Sequence, residues 1–341
     1  MVSETEICIL IPNYNGLIYL SDCLDSLVNQ KHNNFKIVLI DDGSIDGSVG
    51  YVSDNFSQVE ILKLESNLGF ARAVNLGIKH VLDHYDPKYL AVLNNDTKVD
   101  VAWLESLIKT AESDDNIAAV SSNMLYFDRP DIINSQGGTC DLIGYAHDIN
   151  DGKNISEGYG DVRPILSACW GATLVRVSAL EDVGLLDERY FSFAEDVDWG
   201  WRANLLGYKI VSDPKAIVLH HGSASWRGQD IRRHELCFRN MFCTMIKNYS
   251  AFYLLLLLIV ILLHYPLVSI GYLLNLKFEN GRLIRVFQYK NNFLDRIRSS
   301  LIPWKSLGWN VKELGTTIKY RRGIQQRRKV RDKEIFKLMI S

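Results

Sequence analysis

Four short apolar runs in the first third of the chain have the length of buried strands. They span residues 6–11, 35–40, 59–64 and 89–93. Segments with helical character alternate with them, at residues 20–29, 46–56, 69–80 and 103–113. Such alternation predicts an α/β fold with a doubly wound, mostly parallel sheet.

Polar clusters follow three of these predicted strands. They are residues 13–15 (NYN), 41–42 (DD) and 94–96 (NND). In doubly wound sheets, ligands bind at the carboxyl ends of the strands. The shared placement therefore predicts a site for a nucleotide or another polar ligand. Each cluster also has a structural interpretation, since residues 41–44 (DDGS) are typical of a strand-to-helix turn with an Asp cap.

The pattern weakens after residue 125. Residues 125–165 are rich in Gly, Asn and Asp, which predicts loops and short strands. A strand region is predicted over 165–177, interrupted by Trp170 and Gly171. Residues 186–206 hold an acidic cluster and then a helix, and a strand over 209–219 leads into a histidine pair.

The acidic cluster and the histidine pair are the main candidates for chemistry. Glu195, Asp196 and Asp198 would repel one another on a purely structural helix. Hard carboxylate oxygens together with one imidazole, from His220, suit Mn²⁺ or Mg²⁺. The alternatives are surface acids and a packed histidine. Trp170 is a core residue or a platform on which a sugar ring stacks.

A second candidate site lies at the start of a predicted helix. The spacing of Asn67, Arg72 and Asn75 would direct polar groups toward an anion at that helix end. The structural alternatives are a capped helix start and, for Arg72, a surface salt bridge.

Charge and hydropathy divide the chain into an acidic body and a basic tail. The tail from Lys277 carries a net charge of +12 and the remainder −14. An apolar segment at 251–276 precedes the tail and is long enough for a membrane span. Its central His264 and Pro266 and its basic flanks favour a broken hairpin that enters and leaves the cytoplasmic leaflet, with a single span or a buried core helix as alternatives.

The tail favours an anionic membrane surface as a partner, with no nucleic acid expected. Arg321, Arg322, Arg327, Arg328 and Lys329 are the cations expected to face it. No signal peptide is expected, because the first apolar run is short and acidic residues precede it. The six cysteines form no CxxC pair, which predicts reduced thiols.

The ordered motifs resemble those of inverting family 2 glycosyltransferases with the GT-A fold, particularly rhamnosyltransferase-like members. They are residues 12–15 (PNYN), 41–44 (DDGS), 67–70 (NLGF), 94–97 (NNDT), 195–198 (EDVD) and His220. The resemblance implies a catalytic domain over 1–225, a linking helix over 226–250, a membrane-associated hairpin or span over 251–276 and a basic helical tail over 277–341.

The resemblance also implies roles for individual residues. Asp196 would be the catalytic base, with Glu195 and Asp198 in support, and Asp96 and His220 would hold the metal. Trp170 and Gly171 would line the acceptor site. The nucleotide-sugar would contact Pro12, Tyr14, Asn15, Asp42, Asn67, Arg72, Asn94 and Asn95.

The expected activity is metal-assisted sugar transfer, with rhamnose as the sugar that the resemblance implies and other sugars left open. A nucleoside-diphosphate sugar would be the donor, and a lipid-linked or cell-surface glycan the acceptor, at the cytoplasmic face of the membrane. Two alternatives are a sugar nucleotidyltransferase and a non-catalytic membrane adaptor. The first requires a basic, Gly-rich loop after the first strand, which residues 12–16 (PNYNG) lack.

Overall fold

A computed structural model describes residues 6–222, 230–274 and 293–339. The strands that it contains are β1 (Ile7–Asn13), β2 (Phe35–Asp41), β3 (Val59–Lys63), β4 (Tyr89–Leu93), β5 (Thr97–Val99), β6 (Ile117–Tyr126), β7 (Arg129–Ser135), β8 (Gly138–Cys140), β9 (Ala146–Asp148), β10 (Arg163–Pro164), β11 (Ala172–Arg176) and β12 (Lys209–His220). All except β8 and β9, which pair with each other, belong to one sheet.

Helices separate and follow these strands. They are α1 (Leu17–Val28), α2 (Ser48–Asn55), α3 (Phe70–His84), α4 (Trp103–Ala111), α5 (Val177–Val183), α6 (Glu195–Leu205), α7 (Asp230–Asn248), α8 (Ala251–Leu274), α9 (Phe293–Ser300), α10 (Ile302–Lys312), α11 (Leu314–Arg327) and α12 (Asp332–Phe336). The predicted alternation of strands and helices over the first third of the chain is confirmed.

The main sheet has the order β10-β12-β6-β11-β4-β1-β2-β3, with β5 on β12 and β7 on β6. Strands β1 to β4 are parallel, and β12 is parallel to β6. Strand β11 is antiparallel to both of its neighbours. Its amino end therefore lies at the same edge as the carboxyl ends of β1, β2 and β4. The polar clusters that follow β1, β2 and β4 in the sequence lie at this edge.

Alternate side chains of the strands supply two apolar layers, because successive residues point to opposite faces. Ile9 of β1 packs in one layer with residues of α1 and α4. Leu10 packs in the other with residues of α3 and α6. Helices on both faces confirm the doubly wound, mostly parallel architecture.

The acidic cluster begins a helix rather than preceding one. Glu195, Asp196 and Asp198 occupy the first turn of α6. The amino end of a helix carries partial positive charge, which offsets the repulsion between carboxylates. The cluster is thus compatible with a stable helix at this one place.

The C-terminal helices build a third apolar cluster against α6. It contains Trp201 and Leu205 of α6, Phe242 of α7 and Ile261 of α8. The linking helix predicted over 226–250 is present as α7, and residues 226–229 lie outside the described residues.

The break predicted in the apolar segment is wrong. Helix α8 continues through His264 and Pro266 to Leu274. It is long and apolar enough to span a membrane, and 28% of its most apolar window is buried against the rest of the chain. Residues 275–276 and the basic residues Lys277, Arg282 and Arg285 lie outside the described residues.

Several cationic side chains of the tail form hydrogen bonds or ion pairs within the chain. Arg321 donates to the carbonyls of Ile246 at 2.7 Å and Tyr249 at 2.5 Å, at the carboxyl end of α7. Arg328 pairs with Asp332 at 2.8 Å, and Arg327 pairs with Asp182. The expectation that Arg321 faces lipid is therefore wrong. All six cysteines are free thiols.

Candidate active site

A cavity of about 1,210 Å³ opens at the edge of the sheet where the carboxyl ends of β1, β2 and β4 meet. Loops after these strands, the start of α6, the end of β12 and the helices α7 and α8 line it. Among the predicted site residues, those lining it are Pro12, Tyr14, Asp42, Asn67, Asn94, Asn95, Asp96, Trp170, Gly171, Glu195, Asp196 and His220.

Buried amides connect the ends of β1, β2 and β4. Asn95 Nδ2 donates to Asn13 Oδ1 at 2.6 Å, and Asn13 Nδ2 donates to Asp41 Oδ1 at 3.2 Å. Gly16 lies directly beside this network, because a Cβ there would come within 1.9 Å of Asn95 Nδ2. The polar residues at the strand ends thus hold one another in place.

Asp42 ties the end of β2 to the loop before α3. Its two oxygens accept the backbone N–H groups of Leu68 at 2.8 Å and Gly69 at 3.0 Å. Burial raises the pKa of Asp42, and these two hydrogen bonds oppose the rise. Gly69 has a φ of +86°, and a Cβ there would meet the Phe191 ring at 2.4 Å. The loop before α3 therefore packs directly on the segment that leads into α6.

Strand pairing brings Asp96 and His220 together. His220 at the end of β12 lies opposite Thr97 of β5. His220 Nε2 is 3.3 Å from Asp96 Oδ1. On the other side of the ring, Nδ1 lies 2.6 Å from Asn134 Oδ1, which can only accept. In the neutral ring this leaves an Nε2 lone pair facing a carboxylate.

The arrangement of Asp96 and His220 fits a divalent cation. Two acceptors directed at each other are stabilised by a cation or a proton between them, and a second partner on Nδ1 is the usual setting of a metal-binding histidine. Within the described residues, no group of three or more His, Cys, Asp or Glu is placed to hold a metal. Oxygens of a bound ligand would complete the coordination.

Asp196 lies at the wall of the cavity, on the first turn of α6. Burial raises its pKa to about 6, and the nearby Asp148 carboxylate adds to the rise. Backbone hydrogen bonds from Val197, at 2.7 Å, and Trp170 act in the opposite direction. A carboxylate with this pKa is a suitable general base near neutral pH.

Two other groups at the cavity are buried and have no hydrogen-bond partner within the described residues. They are Glu195 Oε2 and Trp170 Nε1. Burial also raises the pKa of Glu195, and Asp196 adds to this effect. Trp170 packs edge-on against Trp199, with ring centroids 5.4 Å apart. Buried polar atoms normally have partners, so these two atoms point to a ligand.

Asp198 does not line the cavity, so the support expected from it would act through the position of α6. It is fully buried, and its carboxylate lies 2.8 Å from Lys247 Nζ and 2.9 Å from Arg202 Nε. Lys247 also contacts Asp187 at 2.9 Å. Burial opposes ionisation of Asp187, but Lys247 and Arg189 lower its pKa overall. Asp198 thus anchors α6 to α7.

The segment before α6 has a strained backbone. Phe191, Phe193 and Ala194 have φ values of +66°, +72° and +62°, which are rare outside glycine. Asn240 of α7 holds this segment, since its Nδ2 lies 2.8 to 3.0 Å from the carbonyls of Tyr190, Ser192 and Phe193. Strained backbone often occurs at functional sites where surrounding contacts maintain it.

Two residues predicted to contact the nucleotide-sugar do not line the cavity. Arg72 pairs with Glu188 at 3.7 Å, and its side chain is 53% exposed. This position agrees with the alternative of a surface ion pair and corrects the phosphate assignment. Asn15 instead accepts the N–H of Ile45 at 2.9 Å, which fixes the loop after β2.

Sequence reasoning missed several residues of the cavity. Asp148 of β9 and Arg232 and Arg233 of α7 line it, and Asn134 of β7 supports His220. Asp148 and Asn134 belong to a stretch without periodicity. Arg232 and Arg233 were visible only as a basic flank of the apolar segment.

The sheet and its cavity define the GT-A class of nucleotide-sugar transferase folds. The family model for glycosyl transferase family 2 matches residues 8–184, more than half of the chain. The chain belongs to glycosyl transferase family 2, as the motifs predict.

Curated relatives are similar over most of the chain. A poly-β-1,6-N-acetyl-D-glucosamine synthase of Staphylococcus aureus is 29% identical over 265 residues, which are 74% of this chain and 61% of that protein. An uncharacterized glycosyltransferase of Haemophilus influenzae is 25% identical over 224 residues, 64% of this chain and 66% of that protein. The chain thus spans slightly less than two thirds of the length of these relatives.

Solved structures share the fold at low identity. GalNAc-T7 with UDP, GalNAc and Mn²⁺ has a TM-score of 0.59 at 14% identity, over 91% of this chain and 58% of that chain. The mannosyltransferase PcManGT of Pyrobaculum calidifontis with GDP-Man and Mn²⁺ has a TM-score of 0.53 at 13% identity, over 91% and 88%. S. aureus TarS has a TM-score of 0.52 at 18% identity, over 80% and 76%.

Proposed function

We propose that this protein is a metal-assisted, inverting glycosyltransferase that uses a nucleoside-diphosphate sugar. The observation that carries the proposal is that Asp196 and the Asp96–His220 pair line the same cavity at the carboxyl edge of the sheet. One cavity thus combines a carboxylate base with a pair of residues suited to a cation. Metal-assisted inverting transfer uses both functions beside one sugar.

The donor would lie against the strand ends. Pro12, Tyr14 and Asp42 would contact the base and ribose, and Asn94 and Asn95 would contact the diphosphate. Asp96 and His220 would hold Mg²⁺ or Mn²⁺, which stabilises negative charge on the leaving diphosphate. The solved structures of GalNAc-T7 and PcManGT, each with Mn²⁺ and a nucleotide or nucleotide-sugar, support this choice of cofactor.

Asp196 would take the proton of the acceptor hydroxyl as its oxygen attacks the anomeric carbon. The bond to the diphosphate breaks on the opposite face, so one displacement inverts the configuration. Glu195 Oε2 and Trp170 Nε1 lack partners within the described residues and would orient the acceptor. Gly171 keeps the wall beside Asn94 open, because a Cβ there would lie 3.0 Å from Asn94 Nδ2.

The acceptor would be a lipid-linked or cell-surface glycan at the cytoplasmic face of a membrane. The exposed apolar side of α8 supports membrane attachment, since Leu258, Leu262 and Leu263 are among its exposed residues. Rhamnose is the first sugar to test, because the motifs resemble rhamnosyltransferase-like members. N-acetylglucosamine is the second, because of the S. aureus synthase.

A thermal-shift panel of nucleotide-sugars with and without Mn²⁺ tests donor binding, because a ligand raises apparent stability by mass action. The sugar that stabilises the protein is then offered in a transfer assay. Asp196→Asn should bind this donor normally and transfer it at least about 100-fold more slowly. Asp161→Asn, an exposed carboxylate outside the cavity, is the matched control. A transfer rate near that of the wild type in Asp196→Asn would reject Asp196 as the base.

A further inference from the structure

The cavity continues well beyond the residues assigned to donor, base and metal. Ligand pockets for small molecules usually measure about 300–1,000 Å³. This cavity is larger, at about 1,210 Å³, and reaches from the strand ends to α7 and α8. It therefore has space for a second ligand beside a nucleotide-sugar.

The far half of the cavity is an apolar groove between α7 and α8. We define the α7–α8 groove by Phe238, Met241, Phe242, Met245, Val260 and Ile261, all of which line the cavity. Tyr145 forms part of its wall and packs edge-on against Phe238, with centroids 5.4 Å apart. Its hydroxyl lies 2.9 Å from His264 Nε2 of α8. This hydrogen bond gives both polar groups a partner inside the apolar wall.

The opposite side of the same helix is exposed and apolar. Leu255, Ile259 and Leu262 of α8 are 62%, 53% and 69% exposed and do not line the cavity. Helix α8 thus has one side toward the groove and another side suited to lipid. An alkyl chain beside α8 would therefore meet apolar side chains of this helix on its outer side and in the groove.

Two cationic residues precede the groove residues along α7. Arg232 and Arg233 line the cavity and pack over the rings of Phe191 and Phe193, at 5.0 and 5.3 Å from the ring centroids. Those two phenylalanines belong to the segment that leads into α6 and Asp196. Guanidinium groups are well suited to phosphate, because their N–H donors match its oxygens.

We propose that the α7–α8 groove binds the alkyl chain of a lipid-phosphate acceptor, whose phosphate contacts Arg232 and Arg233 and whose terminal sugar reaches Asp196. The cavity thus offers an apolar wall, two cations and a carboxylate to the tail, phosphate and hydroxyl of such a molecule. The inference rests on the proposed function and selects the lipid-linked class from the acceptors named there.

Photolabelling of the full chain in detergent micelles tests the groove. The probe is hexadecyl phosphate with a diazirine in the outer third of its chain. We expect labelling at Phe238, Met241 or Ile261, assigned to single residues by fragmentation, and its suppression by excess hexadecyl phosphate but not by butyl phosphate. Labelling confined to the outward residues Leu255, Ile259 and Leu262 would overturn the proposal, since any bound detergent or lipid occupies that side.

A pair of adjacent variants provides the matched comparison. Val260→Trp adds bulk at the mouth of the groove, where Val260 is 43% exposed, whereas Ile259→Trp adds it at a residue that does not line the cavity. We expect Val260→Trp to lose groove labelling and Ile259→Trp to keep it, with unchanged donor binding in both. Equal labelling of the two variants counts against the groove. If Val260→Trp fails to fold, competition between hexadecyl phosphate and the probe on the wild-type chain still tests the groove.

The arginines are tested with Arg232→Gln combined with Arg233→Gln. This variant should need about tenfold more hexadecyl phosphate to suppress labelling, the loss expected for one charge-assisted hydrogen bond. Hexadecanol should compete equally with both proteins. A fall in nucleotide-sugar affinity without this change would instead assign the arginines to donor phosphate. Intact donor binding without groove labelling rejects only this inference, whereas absent donor binding rejects the proposed function.

Discussion

The side-chain amide of Asn240 donates a 2.8 Å hydrogen bond to the backbone carbonyl of Phe193, three residues before Asp196. Asn240→Ala should release the strained segment before α6. We expect a loss of about 1–3 kcal/mol in the free energy of unfolding. We also expect kcat to fall by about 100-fold, because a displacement of about 1 Å at a reacting group has that effect. Chemical unfolding and a transfer assay measure the two losses.

Asn123→Ala is the control for Asn240→Ala. Asn123 is equally buried, and its Nδ2 donates to the carbonyl of Pro214 at 3.1 Å, outside the cavity lining. It should cost stability and leave kcat near the wild-type value. Equal kcat values for Asn240→Ala and Asn123→Ala would show that Asn240 does not position the base.

The pH profile of transfer should reflect the raised pKa of Asp196. The base acts in its deprotonated form, so activity is present above the pKa of about 6 and is lost as the pH falls through it. Below this value kcat/KM should fall about tenfold per pH unit. Asp148→Asn removes a neighbouring negative charge and should move the acidic limb to lower pH. Asp161→Asn should leave the acidic limb in place. An unchanged acidic limb in Asp148→Asn would argue against Asp196 as the base.

Asn134 should control metal affinity through His220. Asn134→Ala removes the acceptor of the Nδ1 proton, so the ring loses both its orientation and its tautomer. We expect Mn²⁺ to bind about 10–100-fold more weakly, measured as a Mn²⁺-dependent thermal shift in the presence of UDP. Asn154→Ala changes a half-buried Asn that caps a short helix outside the cavity lining and should bind Mn²⁺ normally. Unchanged affinity in Asn134→Ala would contradict the role of His220.

Lys247 should be important for stability. Lys247→Met leaves the buried carboxylates of Asp187 and Asp198 without their shared cation, and breaking such a buried pair costs about 3–5 kcal/mol. Lys305→Met removes an exposed partner of Glu235, 4.0 Å away, and should cost at most about 1 kcal/mol. Chemical unfolding followed by Trp fluorescence compares them. Equal costs would contradict the buried network.

Membrane attachment should depend on the outer side of α8. Leu262→Asp should reduce the membrane-bound fraction, since a charge in a membrane helix costs about 3 kcal/mol. Ile45→Asp, at an exposed apolar residue outside α8, should not change that fraction. High salt should weaken attachment without abolishing it, because salt screens the basic tail but not the apolar helix. Complete release by salt alone would reject the apolar anchor.

The sheet could be predicted because its strands are short apolar runs separated by helices. Periodicity of this kind depends on local sequence. The approach of Asp96 to His220 could not be predicted from the residues alone, because it depends on the pairing of β5 with β12. Only the family resemblance placed these two residues together.

Local signals also misled the prediction in places. Pro266 predicted a break, but α8 accommodates the loss of one backbone donor and continues. Arg321 was predicted to face lipid from its charge, whereas the structure places it at the carboxyl end of α7. Composition correctly predicts loops and short strands around Asp148, but it does not place this carboxylate in the cavity. Each difference arises from tertiary contacts, which periodicity and composition do not encode.

The contacts of α7 with the segment before α6 impose an order on assembly during synthesis. All strands of the main sheet precede Asn240 and Lys247 in the chain. A nascent chain that ends before α7 therefore contains the whole donor edge but lacks the residues that hold the strained segment. The proposed base would therefore be positioned only once α7 has been made, just before the apolar helix α8 follows.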